Sequence, residues 1–254
     1  MARSKPDATP ALPAPVPALF LLGGIELQGV AGGDGDRLVA QSKVIALLAY
    51  LALSPHGRYQ RRDRIVGLLW PELDQSHARA ALRKAVFAAR SSLGDDAILG
   101  RGDEELLLVH DRIWCDAVDF TNSADAGHLA RALKLYRGDL MPGFHLPECN
   151  DFDLWLESER AAAIERAAAA AWALARRLEE DSQFSEAGSM ARTAVRYVWS
   201  DERVLRRAML MLQRLGDRAG ALHLFDDVAR RLRTELDAAP SAETVQLAAT
   251  IRHA

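Results

Sequence analysis

The chain has 254 residues, 49% of them hydrophobic and 26% charged, which suits one large or two ordinary globular domains and excludes an intrinsically disordered protein. The longest apolar run near the N-terminus, residues 18–22, is too short for a signal-peptide core or a membrane span, and two cysteines are too few for a disulfide framework. We therefore expect a cytoplasmic protein with no membrane partner.

The net charge of −3 conceals a strong asymmetry along the chain. Residues 41–94 contain nine lysines and arginines against three carboxylates, a net +6, whereas residues 95–254 contain twenty against twenty-eight, a net −8. Residues 1–40 contain three lysines and arginines against four carboxylates. A basic segment joined to an acidic one indicates that only the basic segment meets a polyanion.

Residues 1–18 are rich in proline and alanine and lack periodicity, so we predict a disordered leader. We predict a strand over residues 19–28, a glycine-rich hairpin turn over residues 32–36, and a second short strand near residues 37–40. The aspartates of this turn lack the further carboxylates of a calcium loop, which favours a turn over a cation site.

Three helices are predicted next, over residues 41–53, 62–69 and 74–94. Trp70 ends the second helix and is expected to anchor the core. Asp74 or Ser76 can cap the third helix, and Gly94 can end it. The apolar residues of the third helix recur at three- and four-residue steps and form a buried stripe. The stripe consists of Ala78, Ala81, Leu82, Ala85, Val86, Ala89 and Leu93.

The opposite side of the third helix is basic. Arg79, Arg83 and Arg90 fall in a narrow sector beside the stripe, with Lys84 and Phe87 further round, and no carboxylate follows the cap. One interpretation is an ordinary amphipathic helix with a solvated rim. Such rims usually mix signs, because Glu/Lys pairs four residues apart support a helix. The absence of acids favours the other interpretation, in which phosphate supplies the opposing charge.

After Gly94 the hydrophobic pattern changes to period two and predicts a hairpin with strands at residues 97–101 and 105–109 around a turn at residues 102–104. The element order is then β-β-α-α-α-β-β, which is typical of a helical DNA-binding unit with a hairpin wing.

From about residue 125 to the end the pattern predicts only helices, and we expect Trp155, Trp172 and Trp199 in their core. The helices cover residues 128–136, 152–181, 185–197, 202–215, 219–236 and 242–252. Ala187 and Ala221 stand 34 residues apart in similar apolar registers, and 34 is the period of tetratricopeptide helix pairs. Such arrays present surfaces to protein partners.

Several segments in a fixed order carry a resemblance to a known family. They are SKVIALLAYL (42–51), RDRI (62–65) leading to LWP (69–71), ARAALRK (78–84), LYRGDL (135–140) with GF (143–144), Phe152 with WL (155–156) and ER (159–160), and PSAET (240–244). Together they resemble the bacterial antibiotic-regulatory activator family, abbreviated SARP, over roughly residues 19–252.

The resemblance implies a mainly α protein. An N-terminal winged helix-turn-helix (α+β) domain of the OmpR type covers residues 19–118, and an all-α tetratricopeptide-like bacterial transcriptional activator domain covers residues 119–254. The implied function is sequence-specific DNA binding and transcriptional activation. The implied partners are double-stranded DNA, RNA polymerase through the loop at residues 70–75, and a second copy of the chain through the helical domain.

The resemblance also places the helix of residues 76–93 in the major groove and the hairpin of residues 98–109, as a wing, at the adjacent minor groove. Arg79 and Arg83 are the candidates for base edges, because arginine can bond guanine in two places. The remaining candidates are Lys84, Arg90, Arg61 and Arg62 for phosphate, Arg101 for the wing, and Phe87 on the exposed side of the helix. For Arg61, Arg62 and Arg101 a solvated charge is the alternative. Ala88 and Ser91 stand where such helices often carry charge, which weakens the expected base reading.

No catalytic constellation is recognisable, since the seven histidines are scattered and the chain has no HExxH, CxxC, GxSxG or phosphate-loop motif. His145 and Cys149 lack the second ligand pair of a zinc site. We therefore expect a protein that is not an enzyme and holds no metal or cofactor. The alternative function is a protein-interaction or ligand-sensing scaffold with weak or no DNA binding, which the acidic helical half favours.

Overall fold

The computed structural model describes residues 16–30 and 35–253. They form two compact units. The first takes in the described residues up to Val118 together with Met141–Trp155, and the second takes in Asp119–Leu140 and the described residues from Leu156 onward. The leader predicted for residues 1–18 lies outside the described residues except at its last three positions. Within the described ranges, no helix is long and apolar enough to cross a bilayer.

The helices and strands are numbered here in chain order. They are β1 Ala18–Phe20, β2 Glu26–Gln28, α1 Gly35–Val39, α2 Ser42–Leu53, β3 Gln60–Arg61, α3 Arg62–Leu69, α4 Gln75–Leu93, β4 Ile98–Arg101, β5 Glu105–Leu108, β6 Trp114–Cys115, α5 Asp116–Asp125, α6 Leu129–Leu135, α7 Asn150–Glu180, α8 Phe184–Tyr197, α9 Glu202–Arg214, α10 Arg218–Leu236 and α11 Ala242–His253.

The first unit begins with a three-stranded sheet in the order β2-β1-β6. β1 pairs antiparallel with β2, with Leu19 opposite Leu27, and parallel with β6, with Ala18 opposite Trp114. The buried carboxylate of Asp116 accepts a hydrogen bond of 2.7 Å from the amide of Leu21, which continues the chain from β1. This contact ties the start of α5 to the sheet.

The prediction for residues 19–40 was partly wrong. The single strand predicted over residues 19–28 is the hairpin of β1 and β2, and the strand predicted near residues 37–40 is helix α1. The amide of Ala40 donates to the carbonyl of Asp36 at 2.9 Å, and Leu38 is buried, so this segment folds as a helical turn. Of the predicted turn at residues 32–36, residues 32–34 lie outside the described residues.

The core of the first unit is built on α2, whose residues 44–52 are all buried. Helices α3 and α4 pack against α2, and Trp70, at the end of α3, is 7% exposed, as predicted for a core anchor. Residues 141–155 complete this unit. The amide of Met141 donates to the carbonyl of Leu21 at 2.7 Å, and the rings of Tyr50 and Trp155 meet at 5.1 Å.

The second sheet has the order β3-β5-β4. β4 and β5 form the predicted hairpin, with Leu99 opposite Leu107, and β3 adds a third strand that the sequence did not indicate, with Gln60 opposite Leu106. Strand β3 leads directly into α3, so the sheet fixes where the α3–α4 pair begins. The first unit is therefore a winged helix-turn-helix, in which the β4–β5 hairpin is the wing.

The second unit contains only helices among its described residues, as predicted. Helices α8 and α10 begin 34 residues apart, and Ala187 and Ala221 are both fully buried, so the predicted repeat aligns the first helices of two pairs. Helices α9 and α11 begin 40 residues apart, because α10 is longer than α8. The packing is tetratricopeptide-like, which confirms the predicted fold class.

Candidate nucleic-acid interface

Helix α4 begins at a well-formed cap. Asp74 accepts hydrogen bonds from the amides of Ser76 at 3.0 Å and His77 at 3.1 Å, and its other oxygen meets the His77 ring. The side-chain and backbone hydrogen bonds from His77, followed by the hydroxyl of Ser76, hold the pKa of Asp74 far below its usual value. The helix ends at Gly94, whose positive φ of 103° suits glycine. One polar side chain thus satisfies the amides that begin the helix.

The inner face of α4 follows the predicted stripe. Ala78, Leu82, Ala85, Val86, Ala89 and Leu93 are buried, and Ala81 is half-buried. The outer face exposes Arg83, Lys84 and Phe87, and the Phe87 side chain is 73% exposed. Because α4 contains no aspartate or glutamate, the helix itself places no negative charge beside the cations of this outer face. The exposure of an aromatic ring to water is unfavourable, so a ring exposed between cations indicates a binding surface. Such a surface suits a polyanion that also has apolar edges.

Arg79 is placed differently from Arg83, although both lie in the same sector of the helix. Its guanidinium donates to Asp63 on α3 at 2.7 Å and lies 3.6 Å from Glu104 in the wing turn. The hydrogen bond to Asp63 and the charge of that carboxylate raise the pKa of Arg79. Arg79 therefore links the two helices and the wing.

The guanidinium of Arg90 is also hydrogen-bonded within the protein. Its Nε and a terminal nitrogen both donate to the carbonyl of Ile98, at 2.9 and 2.6 Å. Ile98 opens strand β4, so this bidentate contact fixes the base of the wing against the last turns of α4. The guanidinium that was predicted to bind phosphate has a protein acceptor in this structure.

A groove of about 490 Å³ runs between α4, the start of α3 and the wing. Its walls include Arg62, Arg79, Arg83 and Arg90, the exposed ring of Phe87, and the carboxylates of Asp95 and Asp103. Burial lowers the pKa of Arg62, Asp103 raises it, and the charges of Arg90, Arg79 and Arg83 lower it further. The Nε of Arg62 is buried without a hydrogen-bond partner among the described residues. The groove thus concentrates more positive than negative charge.

The wing candidate Arg101 lies beside the hairpin turn. Its guanidinium pairs with Glu105, directly opposite in the sheet, and stacks over the Tyr59 ring at 4.5 Å. Its side chain stays 63% exposed, so the stacked group still faces solvent. Arg61 is exposed in β3, one residue before the half-buried Arg62.

The structure adds acidic residues that the sequence interpretation did not assign to the site, namely Asp63, Asp95, Asp103, Glu104 and Glu105. The Arg101–Glu105 pair follows from the hairpin register, in which the two residues face each other, and the sequence could have revealed it. The Arg79–Asp63 pair joins two helices across a turn, and no periodicity signals it.

The comparisons with known proteins point to one family. Residues 118–252 match the family described as bacterial transcriptional activator domain. No curated protein matches the chain significantly. A solved structure of Mycobacterium tuberculosis EmbR, in complex with a low affinity phosphopeptide, is similar over 93% of this chain with 20% sequence identity and a TM-score of 0.63. The chain spans 65% of that EmbR chain, and at this identity the likeness shows a common fold. Because the family match covers more than half of its residues, the chain belongs to the bacterial transcriptional activator domain family, which agrees with the resemblance to SARP-type regulators.

Proposed function

We propose that the chain binds double-stranded DNA sequence-specifically and activates transcription. Helix α4 enters the major groove, and the β4–β5 wing lies at the adjacent minor groove. The observation that carries this proposal is the outer face of α4, which presents Arg83, Lys84 and Phe87 beside the arginine-lined groove. An α-helix fits the major groove, and cations on both sides of it meet the phosphates of the two strands.

The contacts described above divide the candidate residues by role. Arg83 is the base reader in this proposal, because it is exposed at the centre of the face and has both ends of its guanidinium available for guanine. Lys84 and Arg61 are exposed and bind phosphate, and Arg62, which lines the groove, binds a phosphate there. Phe87 contacts the apolar edge of a base, for which a thymine methyl is the natural partner.

In this proposal three further arginines position the DNA-binding face of α4. They are Arg79, Arg90 and Arg101. Each guanidinium is already held by a protein acceptor, on Asp63, Ile98 and Glu105 respectively. They set the position of α4 relative to the wing and add long-range positive charge to the groove. Arg101, the most exposed of the three, also reaches the minor groove by leaving Glu105.

Activation requires a second surface. We propose that RNA polymerase meets the loop between α3 and α4, where Glu72 is exposed and the Leu73 side chain is 39% exposed. The second unit supplies a homodimer contact in the same proposal, since helical repeats present surfaces to protein partners.

Selection from a random duplex library with the full chain tests the function. The proposal predicts a recovered sequence motif, tight binding to it, and an affinity that falls as salt rises. Recovery of no motif, with no duplex binding at 50 mM salt, would leave the alternative scaffold function, in which the helical unit is the working part.

A further inference from the structure

The second unit contains a cleft of about 710 Å³ between α7, the end of α8 and the start of α9. One wall is formed by α7, where Ala168 and Ala169 leave room beside the Trp172 ring, and the other by Tyr197 and Trp199. Small-molecule sites commonly have this size and combine aromatic walls with a few polar groups. Trp172 and Trp199 are half-buried: both indoles pack against the core of the helical unit, as expected, and both also line the cleft.

The Trp172 ring on the cleft wall carries a hydrogen-bond donor that has no partner in the described part of the chain. The indole Nε1 of Trp172 is buried and finds no acceptor among the described residues. Buried indole N–H groups normally have a partner, and each exception requires an explanation. This N–H lies beneath the protein surface, in the ring that the Arg207 guanidinium covers.

Both indole rings are held by guanidinium groups. Arg207 stacks over Trp172 at 4.4 Å, and Arg231 stacks over Trp199 at 4.1 Å. These contacts fix the planes of the two rings before any ligand arrives, which lowers the entropic cost of binding.

The charges in the cleft favour an anion at the Trp172 end. Arg203 pairs with Asp201 at 3.2 Å, so these two neutralise each other. Arg207 has no ion pair within the described residues, and it lies against the ring that carries the unpartnered N–H. Glu165 is exposed on the α7 wall, where solvent screens its charge.

We propose that this cleft binds a small planar aromatic carboxylate. The ring lies between Trp172, Trp199 and the alanines of α7, and the carboxylate accepts hydrogen bonds from Arg207. This is a ligand site of the helical unit, and it does not depend on the proposed DNA contacts of α4.

Isothermal titration calorimetry of the full chain with three probes tests the ligand class. The probes are 2-naphthoate, the neutral 2-naphthamide, and the non-aromatic cyclohexanecarboxylate. We expect 2-naphthoate to bind with a Kd of about 1 mM or below, as its size allows. The amide should bind about five-fold more weakly, because its neutral oxygen makes weaker bonds with Arg207, and the non-aromatic acid about ten-fold more weakly.

Matched variants locate the site. Ala169→Leu fills the cleft and should weaken 2-naphthoate binding about ten-fold or more, whereas Ala162→Leu makes the same change at an exposed position of α7 outside the cleft and should leave the Kd within about two-fold. Ala161→Leu, also exposed and lining the cleft, replaces Ala169→Leu if that variant fails to fold.

Arg207→Gln tests the charge contact. It should weaken 2-naphthoate about five-fold and leave the amide within about two-fold, because only the carboxylate uses the full charge. The proposal is overturned if 2-naphthoate gives no binding at 1 mM, if the amide binds as well as the acid, or if Ala169→Leu and Ala162→Leu have the same Kd.

Discussion

At the scale of single residues, the cations of the candidate face form two groups. Some have no protein acceptor within the described residues, and the others are bonded to one. Arg83 and Lys84 point outward from α4, whereas Arg79 bonds Asp63 and Arg90 bonds Ile98. The sequence predicted the sector that contains these side chains, because helical geometry alone fixes it. It could not predict their acceptors, which come from α3 and β4 and are set by tertiary packing.

Replacing Arg83 by alanine removes the proposed base reader. We expect affinity for the selected site to fall by about 1–3 kcal/mol and the preference at one base pair to relax, since a bidentate contact to guanine is lost. Competitive gel-shift titrations against single-base variants of the site measure both effects. Unchanged affinity and unchanged base preference would contradict the assignment.

Replacing Lys84 by alanine removes a phosphate contact. Binding to all duplexes should weaken to a similar degree, and the slope of log K against log salt should become shallower by about one unit. Lys134→Ala, which removes an exposed lysine of the helical unit, is the matched control and should leave the slope unchanged. Equal slopes for the Lys84 and Lys134 variants would show that Lys84 meets no phosphate.

At the scale of elements, the cap of α4 makes stability depend on pH in a defined window. A carboxylate whose pKa is lowered on folding stabilises the protein above its unfolded pKa, about 3.9 for aspartate, and this contribution is lost as the pH falls towards the folded pKa. Asp74→Asn keeps a capping oxygen without the charge.

The melting temperature of the wild type should exceed that of Asp74→Asn at pH 7, and the gap should narrow as the pH falls below about 4. Asp74→Ala should melt lower than both at pH 7, because it loses the cap itself. Thermal melts followed by circular dichroism measure this. If the difference between the melting temperatures of the wild type and Asp74→Asn stays constant down to pH 3, the carboxylate charge does not contribute to stability.

Helix α1 begins at Gly35, where the backbone of another segment lies too close for a larger residue. A Cβ added at Gly35 would lie 2.2 Å from the carbonyl oxygen of Leu27, so the backbone must move. Gly35→Ala should lower the free energy of unfolding by about 1–3 kcal/mol in urea denaturation. Gly24→Ala, where a Cβ meets nothing within 4 Å, is the control and should change it by less than about 0.5 kcal/mol. Equal effects of the two changes would contradict the close packing of α1 on β2.

The elements differ in how well the sequence predicts them. Helix α4 and the wing were predicted because long periodic runs, a capping residue and a turn signal agree there. Helix α1 and strands β3 and β6 were missed, because elements of two to five residues are too short to show a period. Helix α5, with ten residues, was missed as well. Both strands are defined by pairing with partners more than 40 residues away, which local patterns do not contain.

At the scale of the whole molecule, the division of charge does not coincide with the division into a winged helix-turn-helix unit and a helical unit. The net −8 of residues 95–254 comes from residues 95–118 and 141–155, which belong to the first unit, whereas the helical unit carries eighteen basic and eighteen acidic side chains. The helical unit belongs to a family of transcriptional activators, and the basic segment at residues 41–94 contains α2, α3 and α4. Residues 141–155 pack with the first unit, which the sequence does not indicate, since a local hydrophobic pattern carries no information about which core a segment joins.

The most direct test of the central claim is photo-cross-linking at Phe87, the most exposed large apolar residue of α4. A benzophenone amino acid placed at position 87 of the full chain should form a covalent adduct with its selected DNA site on irradiation. The same amino acid at Leu210, which is 42% exposed in the helical unit, should give no adduct. Adducts at position 87 alone are the predicted result. No adduct at position 87 under conditions where the duplex is bound, or equal yields at both positions, would contradict the claim that α4 lies on DNA.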